Sequence, residues 1–421
     1  MCHSNRIIRR VERMSALFAR YVRVSLISKI SMALVLGVVA GLWLPEAIAD
    51  GLAPIGDVVL RLLRFLILPI VVTTVIVGIN QSGLARLGRT GALLALYYLA
   101  TTAIAMIVGL SVAQLFQPGR GLSPDSAGPV EVPSHPGAAD VLTSIVPDNI
   151  VAAFAQLDML AVLFTAIVFG VAIAFTRAAE NDPSGPGETL YRAVAGLESA
   201  TLRIMGWVLE ILPLGILAIV AHTVAEQGGE ALTSLASMVG VLYLGLAGQL
   251  VFYTVLLLAA GLAPLRFYSA ARSAMATAFA TQSSSGTLPV TLAAAERMGV
   301  RRSIRGVALP LGATVNMDGA AVRIAVSAVF AANVVGLSLG WSQAAEIVLV
   351  GTLISVGTAG VPGAGIVMIA TVFEQVGLPI ETVALLASID ALVGMGATAL
   401  NVTGDLVGAR LVERLTPEPP R

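Results

Sequence analysis

Between Val24 and Val412 the sequence is a succession of apolar runs parted by short charged or Pro/Gly-rich segments. Each run is roughly 20 residues, the length that carries a helix across the ~30 Å hydrocarbon core of a bilayer. No water is available there to satisfy backbone N–H and C=O groups, so runs of this length are stable as helices whose bonds close within the segment. The expected fold class is therefore an all-α membrane protein. Only 12% of the residues are charged and 57% are hydrophobic, with a mean hydropathy of +0.90, whereas a soluble domain carries about 25% charged residues. The formal net charge of +0 gives no indication of a nucleic-acid partner. Cys2 is the single cysteine, which excludes an intramolecular disulfide and a cysteine-based metal cluster.

Spans are expected at about Val24–Leu44, Val58–Ile79 with Pro69 as a kink, Gly91–Phe116, Ile150–Phe175 broken near Leu157–Asp158, Leu197–Val224 and Leu232–Leu262. Residues 1–23 carry Arg6, Arg9, Arg10, Arg13, Arg20 and Arg23. They read as a cytoplasmic arm against anionic lipid headgroups, with no signal-cleavage pattern. Residues 117–149 are rich in Pro, Gly and Ser and read as an exposed loop containing a solvated His135. A further loop is expected around Arg177, Asp182, Pro183 and Arg192. His222, beside Glu226, is expected to be structural, and Lys29, the only lysine, reads as composition and not mechanism. With one crossing per span, Arg86/Arg89, Arg177/Arg192, Arg266/Arg272, Arg297–Arg305 and Arg410/Arg414 fall on the same side as the N-terminus. The positive-inside rule makes that side the cytoplasm, with both termini there.

That count works only if two later segments, 269–298 and 343–376, enter and leave by the same face. Each has apolar arms around a helix-breaking centre: AFATQSSSGTLPVTLA in the first and ISVGTAGVPGAG in the second. Between them, LPLGATVNMDGAA interrupts an apolar segment from about Ile304 to Val335. Irregular backbone at membrane depth must be buried in protein or line a wet cavity, and paired interrupted segments point to a transporter's binding site.

The polar groups inside these segments are specific. The tip Gln282, Ser283, Ser284, Ser285, Gly286 offers hydroxyls and free N–H groups at a half-helix N-terminus, which suits a carboxylate. Asn316, Met317 and Asp318 follow Gly312 and Thr314 where unwound backbone frees carbonyls. Asp318 can join them in an ion site, cap the following half-helix, or do both. In the final apolar stretch, Ile389–Val407, Asp390, Thr398, Asn401 and Asp405 are polar, and the last three are spaced i, i+3, i+7 on one face. Oxygen ligands alone suit a hard cation. Tyr98, Thr101 and Thr102 are polar in an otherwise apolar helix, where bonding back to their own turn is the simpler expectation. No Ser/His/Asp set or zinc-ligand cluster is formed by the three histidines, so an enzyme is not expected.

SSSGTLPVT, LPLGATVNMDG, GTAGVPGAG and NVTGD, in that order, together with YYLATT, resemble the dicarboxylate/amino acid:cation symporter family, over about Val24–Val412. The resemblance, which extends to the glutamate transporters and an archaeal relative, implies inverted-topology repeats. The resemblance implies eight transmembrane helices plus two re-entrant hairpins, a homotrimer, an elevator motion and a cell-membrane location in a bacterium or archaeon. It divides the chain into an arm (1–23), scaffold helices 1 and 2 (24–90), helix 3 of the transport domain (91–116), the loop (117–149), scaffold helices 4 and 5 (150–231), the rest of the transport domain (232–412) and a cytoplasmic tail (413–421). It implies Na⁺ as coupling ion, with no other cofactor. One site would use Asp405 with backbone oxygens of Gly312, Asn316 and Asn401. A second would use Tyr98, Thr101, Thr102, Asn316 and Asp318. A third would use backbone oxygens of Thr314, Ser355, Val356 and Thr358.

The substrate residues match in part. Ser283, Ser284, Ser285, Met317, Val361, Gly365, Thr398 and Asn401 stand where the family binds substrate, Ser284, Thr398 and Asn401 on the main carboxylate. The amino-group aspartate is replaced by Gly394, the arginine for an acidic side chain by Ala397, and a supporting threonine by Ala320. Arg323 either takes over anion recognition from the missing arginine, or snorkels outward or pairs with a structural acid. The expected activity is sodium-coupled symport of a small organic anion, a dicarboxylate or another carboxylate without an amino-group partner. Aspartate, glutamate or a neutral amino acid is the alternative, and a non-transporting channel or sensor the remote one.

Overall fold

The computed structural model describes residues 24, 26–45, 48, 51–81, 88–120, 146–180, 182, 184–227, 229–355 and 363–416. Every regular element among the described residues is a helix, and fifteen are found: α1 (Leu26–Trp43), α2 (Ala53–Gln81), α3 (Gly88–Phe116), α4 (Ile150–Ala155), α5 (Met159–Glu180), α6 (Pro186–Gln227), α7 (Gly229–Ala259), α8 (Pro264–Thr281), α9 (Ser284–Arg297), α10 (Arg302–Val315), α11 (Asp318–Val334), α12 (Trp341–Ser355), α13 (Ala364–Val376), α14 (Glu381–Ser388) and α15 (Asp390–Leu415). Six described spans are long and apolar enough to cross a membrane, within α2, α3, α5, α6, α7 and the α10–α11 pair. A seventh is obtained if α14 and α15, which meet at 79°, are taken as one broken span.

Packing sorts the helices into two groups. α1, α2 and α5 lie against the long α6. In the second group α11 is buried around its whole circumference, with α3, α7, α12 and α15 against it. The paired helices α8 and α9 pack on α15, and α13 on α12 and α2. Large apolar side chains such as Leu36 on α1, Leu96 on α3 and Val251 on α7 face outward, as lipid-facing helices require.

Several expected boundaries shift. The region expected as a loop around Arg177 and Arg192 is mostly helix: α5 runs to Glu180 and α6 begins at Pro186. Proline suits a first helical turn. Glu188 then joins the two helices, accepting from Arg177 Nε at 2.8 Å and from Arg192 Nε at 3.1 Å, while Arg177 stacks 3.9 Å from the Tyr191 ring centre. The last helix continues to Leu415, past the apolar stretch, because α10 holds its end: Arg301 donates to Glu413 through its backbone N–H at 2.9 Å and Nε at 2.7 Å. α14 was not anticipated. The break at Leu157–Asp158 is as expected, with Leu157 at φ +55°. Lys29, read as compositional, is buried and ion-paired with Glu210, tying α1 to α6. The arm 1–23, His135, Arg86, Val356, Thr358 and Val361 lie outside the described residues.

Candidate functional site

Of the three interruptions expected from composition, two are present and short, and the third, at 356–362, lies outside the described residues. The α8–α9 turn consists of Gln282, left-handed at φ +52°, and Ser283, whose Oγ caps α9 by accepting from Gly286 N–H at 3.0 Å. The α10–α11 break consists of Asn316 and Met317, both buried. No helix hydrogen bond passes these points, so backbone polar groups are available in the middle of the bundle.

α15 organises what surrounds them. Asp390, Gly394, Ala397, Asn401 and Asp405 are separated by four, three, four and four positions, which aligns them as a single stripe on a 3.6-residue helix. Each meets a different partner. Asp405 Oδ1 accepts from Asn316 Nδ2 at 3.0 Å and lies against Gly312 so closely that a Cβ there would collide with it. Asn401 Oδ1 accepts from the N–H groups of Gly319 at 2.7 Å and Ala320 at 3.4 Å, and its carbonyl accepts from Asn316 Nδ2 at 3.1 Å. Ala397 packs its backbone on Gly319. The Gln282 side chain fills the notch over Gly394, with Oε1 2.5 Å from where a Cβ would stand and Nε2 donating to Ala391 O at 3.1 Å. Asp390 faces Arg323, Oδ1 to Nη2 at 2.6 Å, in a pair whose side chains are each 6% exposed.

The Asp318 side chain does not cap α11. α11 is capped from outside by Asn401, and the Asp318 carboxylate turns away to accept from Thr102 Oγ1 at 2.6 Å and from the Tyr253 hydroxyl. Thr101 reaches both its own turn, at Tyr98 O, and Asn316 Oδ1 at 3.4 Å, and Tyr98 donates to Ala308 O at 2.8 Å. These polar residues thus cross helix interfaces. Only Thr101 also bonds its own helix. Asp318, Asp405 and Asn316 are essentially inaccessible, and neither carboxylate has a basic partner among the described residues.

The remaining expected positions are scattered around this centre. Ser284 is buried at the start of α9, Ser283 is half-buried and Ser285 is exposed. Thr398 donates to Gly394 O at 2.8 Å, and Thr314 to Leu311 O at 3.0 Å. Ser355, fully buried, donates to Thr352 O at 2.7 Å. Met317 Sδ lies 3.3 Å from Asn401 Nδ2, a weak acceptor that leaves this amide free to turn to a stronger one. Gly365, in the first turn of α13, sits directly on the Arg323 guanidinium. Arg323 therefore pairs with an acid, the second of the two outcomes considered for it.

Sequence reading missed Tyr253, which holds Asp318, and Gln249, which is buried and donates to Thr101 O at 3.3 Å. Both are polar residues in the apolar helix α7, the same signal that singled out Tyr98 and Thr102. Among the described residues no three His, Cys, Asp or Glu side chains cluster to hold a metal ion. Oxygen groups of this kind suit a hard cation.

A model of the sodium:dicarboxylate symporter family matches residues 26–415. The chain is 30% identical over 415 residues to the proton/glutamate-aspartate symporter of Escherichia coli K12, covering 93% of each. It is 35% identical over 397 residues to the neutral amino acid transporter B(0) of Bos taurus, covering 85% of this chain and 72% of the relative. It is 31% identical over 405 residues to C4-dicarboxylate transport protein 2 of Ralstonia nicotianae, covering 92% and 88%.

Proposed function

The chain belongs to the sodium:dicarboxylate symporter family, and from that premise we propose that it is a Na⁺-coupled symporter carrying a small organic anion into the cell. The observation that carries Na⁺ coupling is the pair of buried carboxylates, Asp318 and Asp405, with no basic side chain against either among the described residues. An ionised carboxylate in such surroundings costs several kcal/mol unless a cation accompanies it. Hydroxyls and amides already orient both groups, so the cation has to come from solution. Na⁺ fits the available ligands: Asp405 with carbonyls of Gly312, Asn316 and Asn401, and Asp318 with Thr101, Thr102, Asn316 and Tyr98.

The substrate carboxylate belongs on the other side of Asn401, between Ser284 and Thr398. Asn401 is shared: its carbonyl faces the ion residues and its Nδ2 faces Met317. Ion and substrate thereby bias the same short stretch of backbone, and coupling between two such sites is reciprocal. With Gly394 and Ala397 in the middle of the stripe and Asp390 paired with Arg323, no unpaired carboxylate is left at that end for an α-ammonium, which supports a carboxylate without an amino group. A second reading, an amino acid, is favoured by one feature: Gln282 Oε1 stands over Gly394 and can accept from an ammonium. The mechanism we propose is the family's elevator, with α3 and α7–α15 as the moving domain, in a homotrimer in the cell membrane with both termini cytoplasmic.

Uptake into proteoliposomes under an imposed Na⁺ gradient tests the reading, with keto, hydroxy and amino acids as labelled substrates. Accumulation that needs inward Na⁺ is the expected result. Accumulation driven by a proton gradient in the absence of Na⁺ overturns Na⁺ coupling, and dissipation of any substrate gradient without coupling points to a channel.

A further inference from the structure

The stripe on α15 ends at Asp390, and neither the ion residues nor the carboxylate site uses that end. Three elements converge there. Arg323 from α11 places Nη2 2.6 Å from Asp390 Oδ1. Gly365 of α13 lies on the same guanidinium, with no room for a Cβ between them. Gln282 at the α8–α9 turn reaches Ala391 O and covers Gly394. The facing atoms of Arg323 and Asp390 are in ionic contact without hydrogen-bond alignment, and neither has any other partner among the described residues. The guanidinium is thus neutralised, and its donors are unspent.

We infer that Asp390 is a specificity-determining residue: by cancelling the charge of Arg323 it makes the distal end of the substrate pocket accept only an uncharged tail. The inference rests on the symporter reading and on a substrate carboxylate held near Ser284, Thr398 and Asn401. Around the distal end Gln282, Gly365, Gly394 and Ala397 carry no charge, and Arg323 with Asp390 sum to zero. A second substrate carboxylate placed there meets a guanidinium whose charge Asp390 already cancels and is repelled by that carboxylate at short range. A methyl, hydroxyl or amide tail meets neither problem. The substrate is accordingly a small acid with one carboxylate, such as a 2-hydroxy acid, a 2-keto acid or an amino acid with an uncharged side chain.

Asp390→Asn keeps the shape of the side chain and releases the positive charge of Arg323. The purified transporter is titrated in NaCl with lactate, pyruvate, alanine, succinate and aspartate, and thermal protection is read for the parent and for Asp390→Asn. Protection of the parent by a single-carboxylate acid, with a gain of about tenfold or more in apparent succinate or aspartate affinity in Asp390→Asn, is the expected result. That gain is the size of one charge-assisted hydrogen bond. Stronger protection of the parent by succinate or aspartate than by their single-carboxylate counterparts overturns the inference and leaves Na⁺ coupling standing. So does a folded Asp390→Asn with no gain for a dicarboxylate. Absence of any Na⁺-dependent protection by any of the five overturns the symporter reading itself. The parent titration decides the matter even if Asp390→Asn does not fold.

Discussion

Asn316 is the side chain whose removal tests the ion centre most directly. It is fully buried, donates to Asp405 Oδ1 at 3.0 Å and to Asn401 O at 3.1 Å, and accepts from Thr101 at 3.4 Å. It is the sole hydrogen-bond donor to Asp405 among the described residues. A hydrogen bond to a charged group contributes about 1.5–3 kcal/mol and a neutral one about 1 kcal/mol, and the long Thr101 contact adds little. Asn316→Ala is therefore expected to lose about 3 kcal/mol of stability in sodium-free medium, measured by denaturant unfolding in detergent with choline as the cation. In an Asp405→Asn background the charged bond is already neutral, so the same substitution costs about 2 kcal/mol and the cycle leaves a coupling of about 1 kcal/mol. Sodium supplies the second readout. Stabilisation by a saturating ligand follows RT ln(1 + [L]/Kd), so a tenfold weaker site gives about 1.4 kcal/mol less protection. Additivity of Asn316→Ala and Asp405→Asn within about 0.3 kcal/mol, with undiminished sodium protection, would refute the assignment of these two residues to one ion site.

Other outcomes follow from the same contacts. Tyr253→Phe removes one of two donors to Asp318 without opening a cavity; it is expected to lower stability by about 1.5–3 kcal/mol without sodium and by less with it, because a bound cation takes over part of the charge. Equal losses in the two media would show that Asp318 does not meet the ion. Gly365→Ala drives a Cβ into the Arg323 guanidinium and is expected to cost about 1–3 kcal/mol through overpacking. Removing the guanidinium together with its acid, as Arg323→Ala with Asp390→Ala, leaves no buried charge unpaired and should abolish the cost of Gly365→Ala; a cost that persists in that background would place the strain elsewhere. Gly394→Ala collides with Gln282 Oε1 and should weaken substrate protection while leaving sodium protection intact, read in the same thermal titration.

How much of this was legible beforehand depends on the range of the interaction concerned. The helical membrane class and the helix-breaking centres at Gln282–Ser283 and Asn316–Met317 follow from composition and period within one segment, and the structure bears them out, with six or seven membrane-crossing helices among the described residues. Asn401 and Asp405 of the α15 stripe were also readable as sharing a face, because a helix fixes which of its own residues align, whereas Thr398, expected beside them, bonds back to Gly394 O. The underestimated length of α6 has a local cause: its first two turns are too polar to look like a span, and the Glu188 pairs that support them are not part of an apolar pattern.

What each polar group on that stripe does was settled by residues far away in the chain. Asp318 was legible as a buried acid, yet its partners Thr102 and Tyr253 lie 216 and 65 positions from it. The cap that Asp318 could have supplied comes from Asn401, 82 positions from Gly319. Arg323 could have faced a ligand, the lipid surface or an acid, and only the crossing of α11 over the start of α15 put Asp390 beside it. By itself, then, the sequence determined a helical membrane chain with interrupted segments and an oxygen-rich stripe, since hydrophobicity and helical period act over neighbouring residues. The tertiary structure decided which buried carboxylates stand without a basic partner among the described residues and which are paired, since a charge buried among helices takes its meaning from whatever another helix brings within a few ångströms.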